Sequence, residues 1–257
     1  MIDALHIAAT GLRSGQQQLD TISNNVANLQ TPGFKASRVN FADIATPLPA
    51  LGETPATPIG EQHVGGVRIT STSTSFEPGE MRQTGNPLDV AIDGTGFYEF
   101  EAADGGLVYS RSGQFRVDEE GYLRNFQGLR LAGDVQIPRE GIDMRISPEG
   151  EVTVQMPDEL ERTVVGNIEV VRFAAADAMR SIGDNLYAVT QQAGTAVYGR
   201  AGDDGAGKLR QGQMEMANVE IIEEMSSLVL AQRAYQLNAR VLQAADQVMD
   251  TINNLRR

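Results

Sequence analysis

Apolar residues along the first thirty positions follow a seven-residue rule. Leu5, Leu12, Leu19 and Val26 form one register, and Met1, Ala8, Gly15, Ile22 and Leu29 form a second. Sustained heptads predict a helix with a coiled-coil seam, since 3.5 residues per turn keeps such positions on one side. Thr31-Pro32-Gly33 then ends it, because proline cannot continue a helical hydrogen-bond ladder. At 1.5 Å per residue the predicted helix is about 40 Å long. The other end of the chain mirrors it. Asn218 is a candidate N-cap, Glu220, Glu223 and Glu224 suit the positive end of a helix dipole, and Arg256 and Arg257 suit the negative end. The apolar stripe runs Ile221, Met225, Leu228, Tyr235, Leu242 and Met249, widened by Val241, Ala245, Val248, Ile252 and Leu255. Without proline or glycine to interrupt it, this helix reaches about 60 Å.

Between the helices the texture changes to short β-rich runs separated by turn residues: Leu88 to Ile92, Phe97 to Phe100, Leu107 to Ser110, Gln114 to Val117, Glu151 to Met156, Asn167 to Phe173 and Leu186 to Thr190. Val152, Val154 and Met156 alternate with polar neighbours as a half-buried strand does. Asp104-Gly105-Gly106, Glu119-Glu120-Gly121 and Pro148-Glu149-Gly150 read as hairpin turns. Pro47, Pro49, Pro55 and Pro58 mark an extended linker or loop. The expected class is α+β. Residues 1–40 and 212–257 form a discontinuous, coiled-coil-like helical assembly module, 41–64 a Pro-rich linker, and 65–211 an inserted all-β domain. Two helices this long can pair as an intramolecular hairpin or offer their seams to neighbouring subunits.

Composition narrows the function. The 257 residues carry 34 Asp plus Glu against 21 Lys plus Arg, a net charge of -13, which argues against nucleic-acid binding and anionic-lipid docking. Zero cysteines exclude disulfides, thiolate zinc sites and a cysteine nucleophile. No run is apolar enough for a membrane span, and the N-terminus lacks a Sec-type signal pattern. His6 and His63 are the only histidines, too few for a catalytic triad or a His-rich metal site. Gly94-Thr95-Gly96 imitates a dinucleotide fingerprint, but the pattern after it is a strand. Asp89 and Asp93 lie about 13 Å apart in an extended strand, beyond the span of glycosidase carboxylate pairs. Asp118-Glu119-Glu120 and Asp203-Asp204 read as solvated turn tips, and Met214, Met216, Met225 and Met249 as packing residues. No catalytic, metal or cofactor residue is expected. A carbohydrate hydrolase would also need aromatic platforms, and there is no Trp.

Four strings then resemble one family. Ser23-Asn24-Asn25-Val26-Ala27-Asn28-Leu29-Gln30-Thr31-Pro32-Gly33-Phe34-Lys35 is similar to the signature of bacterial flagellar rod and hook proteins. So are the stretch from Gln83 to Phe97, Tyr109-Ser110-Arg111-Ser112-Gly113-Gln114-Phe115, and Asn218 to Tyr235, in the family's order and spacing. Within this axial family the chain resembles the distal-rod branch most, with the proximal-rod paralogue as the near alternative. The resemblance implies a non-enzymatic structural subunit without cofactors, exported by the flagellar type III apparatus without a cleavable signal. Such a subunit sits in the basal-body rod, crosses the periplasm and polymerises helically into the driveshaft between motor and hook. Implied partners are further copies of itself, neighbouring rod and hook proteins, and surrounding ring proteins. The expected assembly residues are Leu5, Leu12, Leu19, Ile22 and Val26, then Ile221, Met225, Leu228, Tyr235 and Leu242. Asn24, Asn25, Asn28, Thr31, Pro32, Gly33 and Phe34 are expected to set the angle between the helical and outer parts. A monomeric envelope-associated binding module is the rival from another class.

Overall fold

A computed structural model describes residues 2–45, 64–102, 105–133, 135–157, 161–203 and 205–255. The proline cluster from Pro47 to Pro58, His63, Asp104, Asp204 and the Arg256-Arg257 end lie outside the described residues. The chain forms two units, each assembled from separated segments. One comprises 1–26, 37–73 and 220–257, the other 27–36 and 74–219.

In the first unit, helix α1 (Ile2–Ala27) and helix α2 (Ile221–Leu255) are joined by a two-stranded sheet, Ser37–Ala45 with Val64–Thr74. The first of these strands runs on into the range read as linker. Helix α2 starts three residues after Asn218, and the amide of Glu224 closes its first turn on the Glu220 carbonyl at 3.0 Å. Glu220 is therefore the capping position, because the residue whose carbonyl accepts the first helical bond is the N-cap. The Asn218 amide is used elsewhere. Neither helix is long and apolar enough to cross a membrane.

Among its described residues the second unit is built of strands and turns, with one short 3-10 turn at Ala176–Ala178. Its largest sheet has seven antiparallel strands in the order Arg180–Gly183, Leu186–Ala188, Leu107–Ser110, Tyr98–Glu101, Arg130–Leu131, Leu123–Arg124, Arg116–Val117. A three-stranded sheet (Asp143–Ile146, Glu151–Gln155, Arg162–Asn167) and smaller pairs complete it. The alternation noted in the sequence holds: Val152 and Val154 are buried while Glu151 is exposed. Ile92, Tyr98, Phe100, Leu123, Ile168 and Leu209 centre the main core. A second cluster stacks aromatic rings edge to face, Phe76 on Phe97 at 5.0 Å and Tyr109 on Phe173 at 4.9 Å. Gly94-Thr95-Gly96 connects Val90–Asp93 to Tyr98–Glu101, as a strand connection should. Asp89 is buried and accepts from Asn86 Nδ2 at 3.1 Å, whereas Asp93 pairs with Arg210 at the surface. They form no common site.

Candidate assembly interface

The first unit packs α1 against α2 through small residues. Ala8, Ser14 and Ala231 are buried, and a Cβ added at Gly11 would come 2.8 Å from Asn238 Nδ2. Gly15 faces Tyr235 closely enough that its missing Cβ would lie 4.0 Å from that residue's Cα. Toward the other end, Asn25 Nδ2 donates to Glu224 Oε1 at 3.0 Å and to the Ser37 carbonyl at 2.9 Å, while its Oδ1 accepts from the Ser37 amide at 3.0 Å. As numbers rise along α1 their partners on α2 fall, so the helices run antiparallel. The intramolecular hairpin is formed, and small side chains let the two backbones approach.

That choice leaves most of the large aliphatic residues of α2 outside the hairpin. Its covered side runs through Glu224, Leu228, Ala231, Asn238, Leu242 and Ala245. About a quarter turn away, Leu230, Ala234, Leu237, Val241, Ala244 and Val248 form a second stripe with alternating spacings of four and three. All six are exposed, Leu230 at 66% and Leu237 at 61%. Near the start of the helix Ile221, Ile222, Met225 and Val229 make a further exposed apolar group. Of the residues expected to assemble, Ile22 is buried, and Leu5, Leu12, Leu19, Val26, Leu228 and Leu242 are half-buried. Ile221, Met225 and Tyr235 are exposed. The second stripe went unresolved in the sequence because apolar residues occupy more than half of the helix circumference there.

In the second unit the Asn28 to Lys35 segment is a built turn. The Thr31 amide donates to the Asn28 carbonyl at 2.9 Å, Thr31 Oγ1 to Asn28 Oδ1 at 3.1 Å, and the Phe34 amide to the Thr31 carbonyl at 3.2 Å. Asn185 Nδ2 donates to the Pro32 carbonyl at 3.2 Å. Gly33 has φ 69° and sits against the Ser112 backbone, where a Cβ would lie 2.7 Å from the Ser112 nitrogen. Phe34 and Leu29 pack on Ala36, Ala217 and Val219. Asn218 ties this turn to its neighbours: its Oδ1 accepts from the Ala36 amide at 2.7 Å and its Nδ2 donates to the Ser75 carbonyl at 2.9 Å. Asn24, at the end of α1, is exposed.

Beneath the turn lies an ion cluster that sequence reasoning missed. Lys35 Nζ is 2.7 Å from Glu215 Oε1, and Arg111 Nε and Nη2 are 2.9 and 2.8 Å from Glu215 Oε2. The Gly79 amide also donates to Oε1, at 2.9 Å. Two cations face one carboxylate, and backbone carbonyls absorb the excess. Lys35 Nζ donates to Glu77 O at 2.6 Å, and Arg111 to Gly94, Gly96 and Ile92 at 2.8, 2.7 and 3.1 Å. Burial pushes the Lys35 ammonium below its ordinary pKa, with the Glu215 carboxylate opposing the shift. The cluster unites the first three family-like strings with Glu215, which precedes the fourth. Lys35 and Arg111 both stand inside quoted strings, the one signal that could have found them.

Matches to known families agree with these pieces. Residues 5–35 match the flagella basal body rod protein family, 91–154 the flagellar hook protein FlgE/F/G D1 domain, and 210–255 the C-terminal region of the flagellar basal body rod FlgEFG proteins. The chain is 39% identical over 264 residues to the flagellar basal-body rod protein FlgG of Borreliella burgdorferi, with 100% of both chains covered. It is 33% identical over 266 residues to FlgG of Bacillus subtilis, again over 100% of both. The hook protein FlgE of Salmonella typhimurium is more distant, 22% identical over 412 aligned positions covering 97% of this chain and 99% of that one. Identity of 33 to 39% with FlgG proteins over the full length of both chains makes this chain a member of the FlgG family of flagellar basal-body rod proteins, structural subunits of the distal rod.

Proposed function

We propose that the chain polymerises helically into the driveshaft that carries torque from the flagellar motor to the hook. The observation that carries this reading is the second heptad stripe of α2, a seam parallel to the one already occupied by α1 and open to solvent. A helix with one filled seam and one open seam adds subunits, because the open side of each copy needs a helix from the next. Contacts of this head-to-tail kind continue as a filament unless a rotation closes them. Beside the open stripe itself, the ten residues expected from the sequence serve assembly in two ways. Leu5, Leu12, Leu19, Ile22, Val26, Leu228, Tyr235 and Leu242 hold the hairpin in shape, while Ile221 and Met225 join the open surface. Neighbouring rod and hook subunits meet the two ends of the polymer, ring proteins surround it, and the flagellar type III apparatus exports it into the rod that crosses the periplasm.

Electron microscopy of basal bodies from a strain with an in-frame deletion of this chain tests the proposal. The expected result is a rod that stops before the hook, with motility lost and restored by the intact chain supplied in trans. Complete hook-basal bodies in the deletion strain would overturn it.

A further inference from the structure

The strands Arg116–Val117, Leu123–Arg124 and Arg130–Leu131 form one end of the seven-stranded sheet. Their register sets Arg116 directly opposite Arg124, and Arg124 directly opposite Arg130. Directly opposed residues share a face, so three arginines rise from the sheet in one row. Leu123 and Leu131, their strand neighbours, are buried on the other face. Like charges directly opposite one another destabilise a sheet, so folding alone does not favour this row.

The arginines are held, yet among the described residues most of their donors have no partner. Arg116 Cζ lies 4.4 Å above the centre of the Phe126 ring, and Arg130 Cζ lies 3.5 Å above that of Tyr122. Stacking fixes a guanidinium plane without consuming its in-plane N–H groups. Arg124 alone has a carboxylate, Asp118 at 2.5 Å, and it also donates to the Gly128 carbonyl at 2.9 Å. Arg116 and Arg130 make no ion pair among the described residues, although the exposed Glu101 stands opposite Arg130 in the register. Arg130 Nε is buried without a hydrogen-bond partner. A buried donor left unpaired costs stability, and charged donors gain most from a carboxylate acceptor.

We propose that this row docks an acidic segment of a second copy of this chain. The inference rests on the reading of the chain as a self-assembling subunit. Charge complementarity selects the occupant: each copy carries 34 Asp plus Glu against 21 Lys plus Arg, a net charge of -13, so a second copy offers acidic surface in excess for the row to meet. Row cannot face row, because six guanidinium groups would repel. The row therefore meets a different patch of the second copy, as the head-to-tail contacts of an open polymer require.

The test uses the full-length chain and the double variant R116Q/R130Q, with L237D as a second comparison. Association is followed by sedimentation velocity across a concentration series, and thermal unfolding is recorded for each protein. Removing two opposed charges leaves R116Q/R130Q as stable as the wild type or more so, while weakening its association by about tenfold or more. Raising salt from about 50 to about 500 mM weakens wild-type association and has much less effect on the variant. Opposite signs for stability and association separate docking from a structural role. If the double variant does not fold, R116Q alone, at an exposed side chain, is read the same way. Wild type that associates and loses association in L237D, with R116Q/R130Q unchanged, overturns the docking row and leaves the self-assembly reading standing. Wild type that stays monomeric at every concentration overturns both. Isotopically mixed copies with carbodiimide cross-linking of R116K/R130K give the partner directly. Cross-links between copies at the substituted positions support the proposal, and cross-links only within a copy overturn it.

Discussion

Lys35 Nζ and Glu215 Oε1 lie 2.7 Å apart with side-chain exposures of 0 and 1%, although 180 residues separate them in the chain. The N-terminal turn and the strand that leads toward α2 are thus locked together by a contact that exists only after the β unit has closed. Arg111 completes the lock from a third segment. Burying ions is costly, so such a cluster contributes less to net stability than its short distances suggest. Its mutual pairing does make any half-removal expensive.

Glu215→Ala leaves two buried cations facing each other and should destabilise the chain by about 3–5 kcal/mol. Lys35→Met keeps the Arg111 pair intact and removes the weaker-held cation, so its cost should be distinctly smaller. Urea unfolding of the two variants checks the order. Equal costs, or a milder Glu215→Ala, would show that the carboxylate is not the centre of the cluster.

The same lysine gives a pH signature. A base whose folded-state pKa lies below its unfolded value binds fewer protons when folded, so the folded state gains as pH rises between the two values. Burial places Lys35 in this position relative to its ordinary 10.5. Wild-type stability measured against Lys35→Met should therefore rise as pH climbs from the lowered value toward 10.5. Tyr98 and Tyr187, phenols pushed up by burial, act in the opposite sense only above their ordinary 10.0, which leaves the range below pH 10 to Lys35. A difference that stays flat from neutral pH to 10 contradicts the burial effect.

Gly33 offers a backbone test. Its φ of 69° is left-handed, and a side chain there also meets the Ser112 backbone rather than a movable group. Gly33→Ala should cost more than the ~1–2 kcal/mol of a left-handed residue in open space, because the neighbouring strand connection must also shift. Gly105 has φ 81° with nothing near its missing Cβ, so Gly105→Ala isolates the conformational part of the penalty. Thermal denaturation of the pair measures the difference.

How much of this was legible in the sequence depends on how far apart the cooperating residues lie. Both helices were readable because Leu5, Leu12 and Leu19 repeat over many turns, and the strand around Val152 because alternation runs for five residues. Leu123–Arg124 and Arg130–Leu131 are two residues each, too short to carry a period, so the arginine row was invisible until register was known. Lys35, Arg111 and Glu215 carry no local pattern at all. The Asn218 cap failed for a related reason: its side chain serves Ala36 and Ser75, partners that only tertiary folding supplies. On α2, apolar residues such as Ile222 and Leu237 surround so much of the helix that periodicity alone merged two stripes into one.

Those two stripes predict different effects on the monomer. Leu237 is 61% exposed on α2 and touches the seam with α1 little, so Leu237→Asp should change monomer stability by no more than about 0.5 kcal/mol. Ile22 is 6% exposed inside the hairpin, and Ile22→Asp buries an unpaired charge, which should open the helix pair. Leu12→Asp and Leu228→Asp, half-buried in the same hairpin, should act like Ile22→Asp but more weakly. Amide exchange on the monomer separates the classes: protection of α1 and α2 survives Leu237→Asp and falls for Ile22→Asp, while the β unit keeps slow exchange in both. Both classes should lose filament growth, one because the hairpin is open and the other because its open seam is charged. Leu237→Asp subunits that polymerise normally would mean that the exposed stripe is not the growing surface.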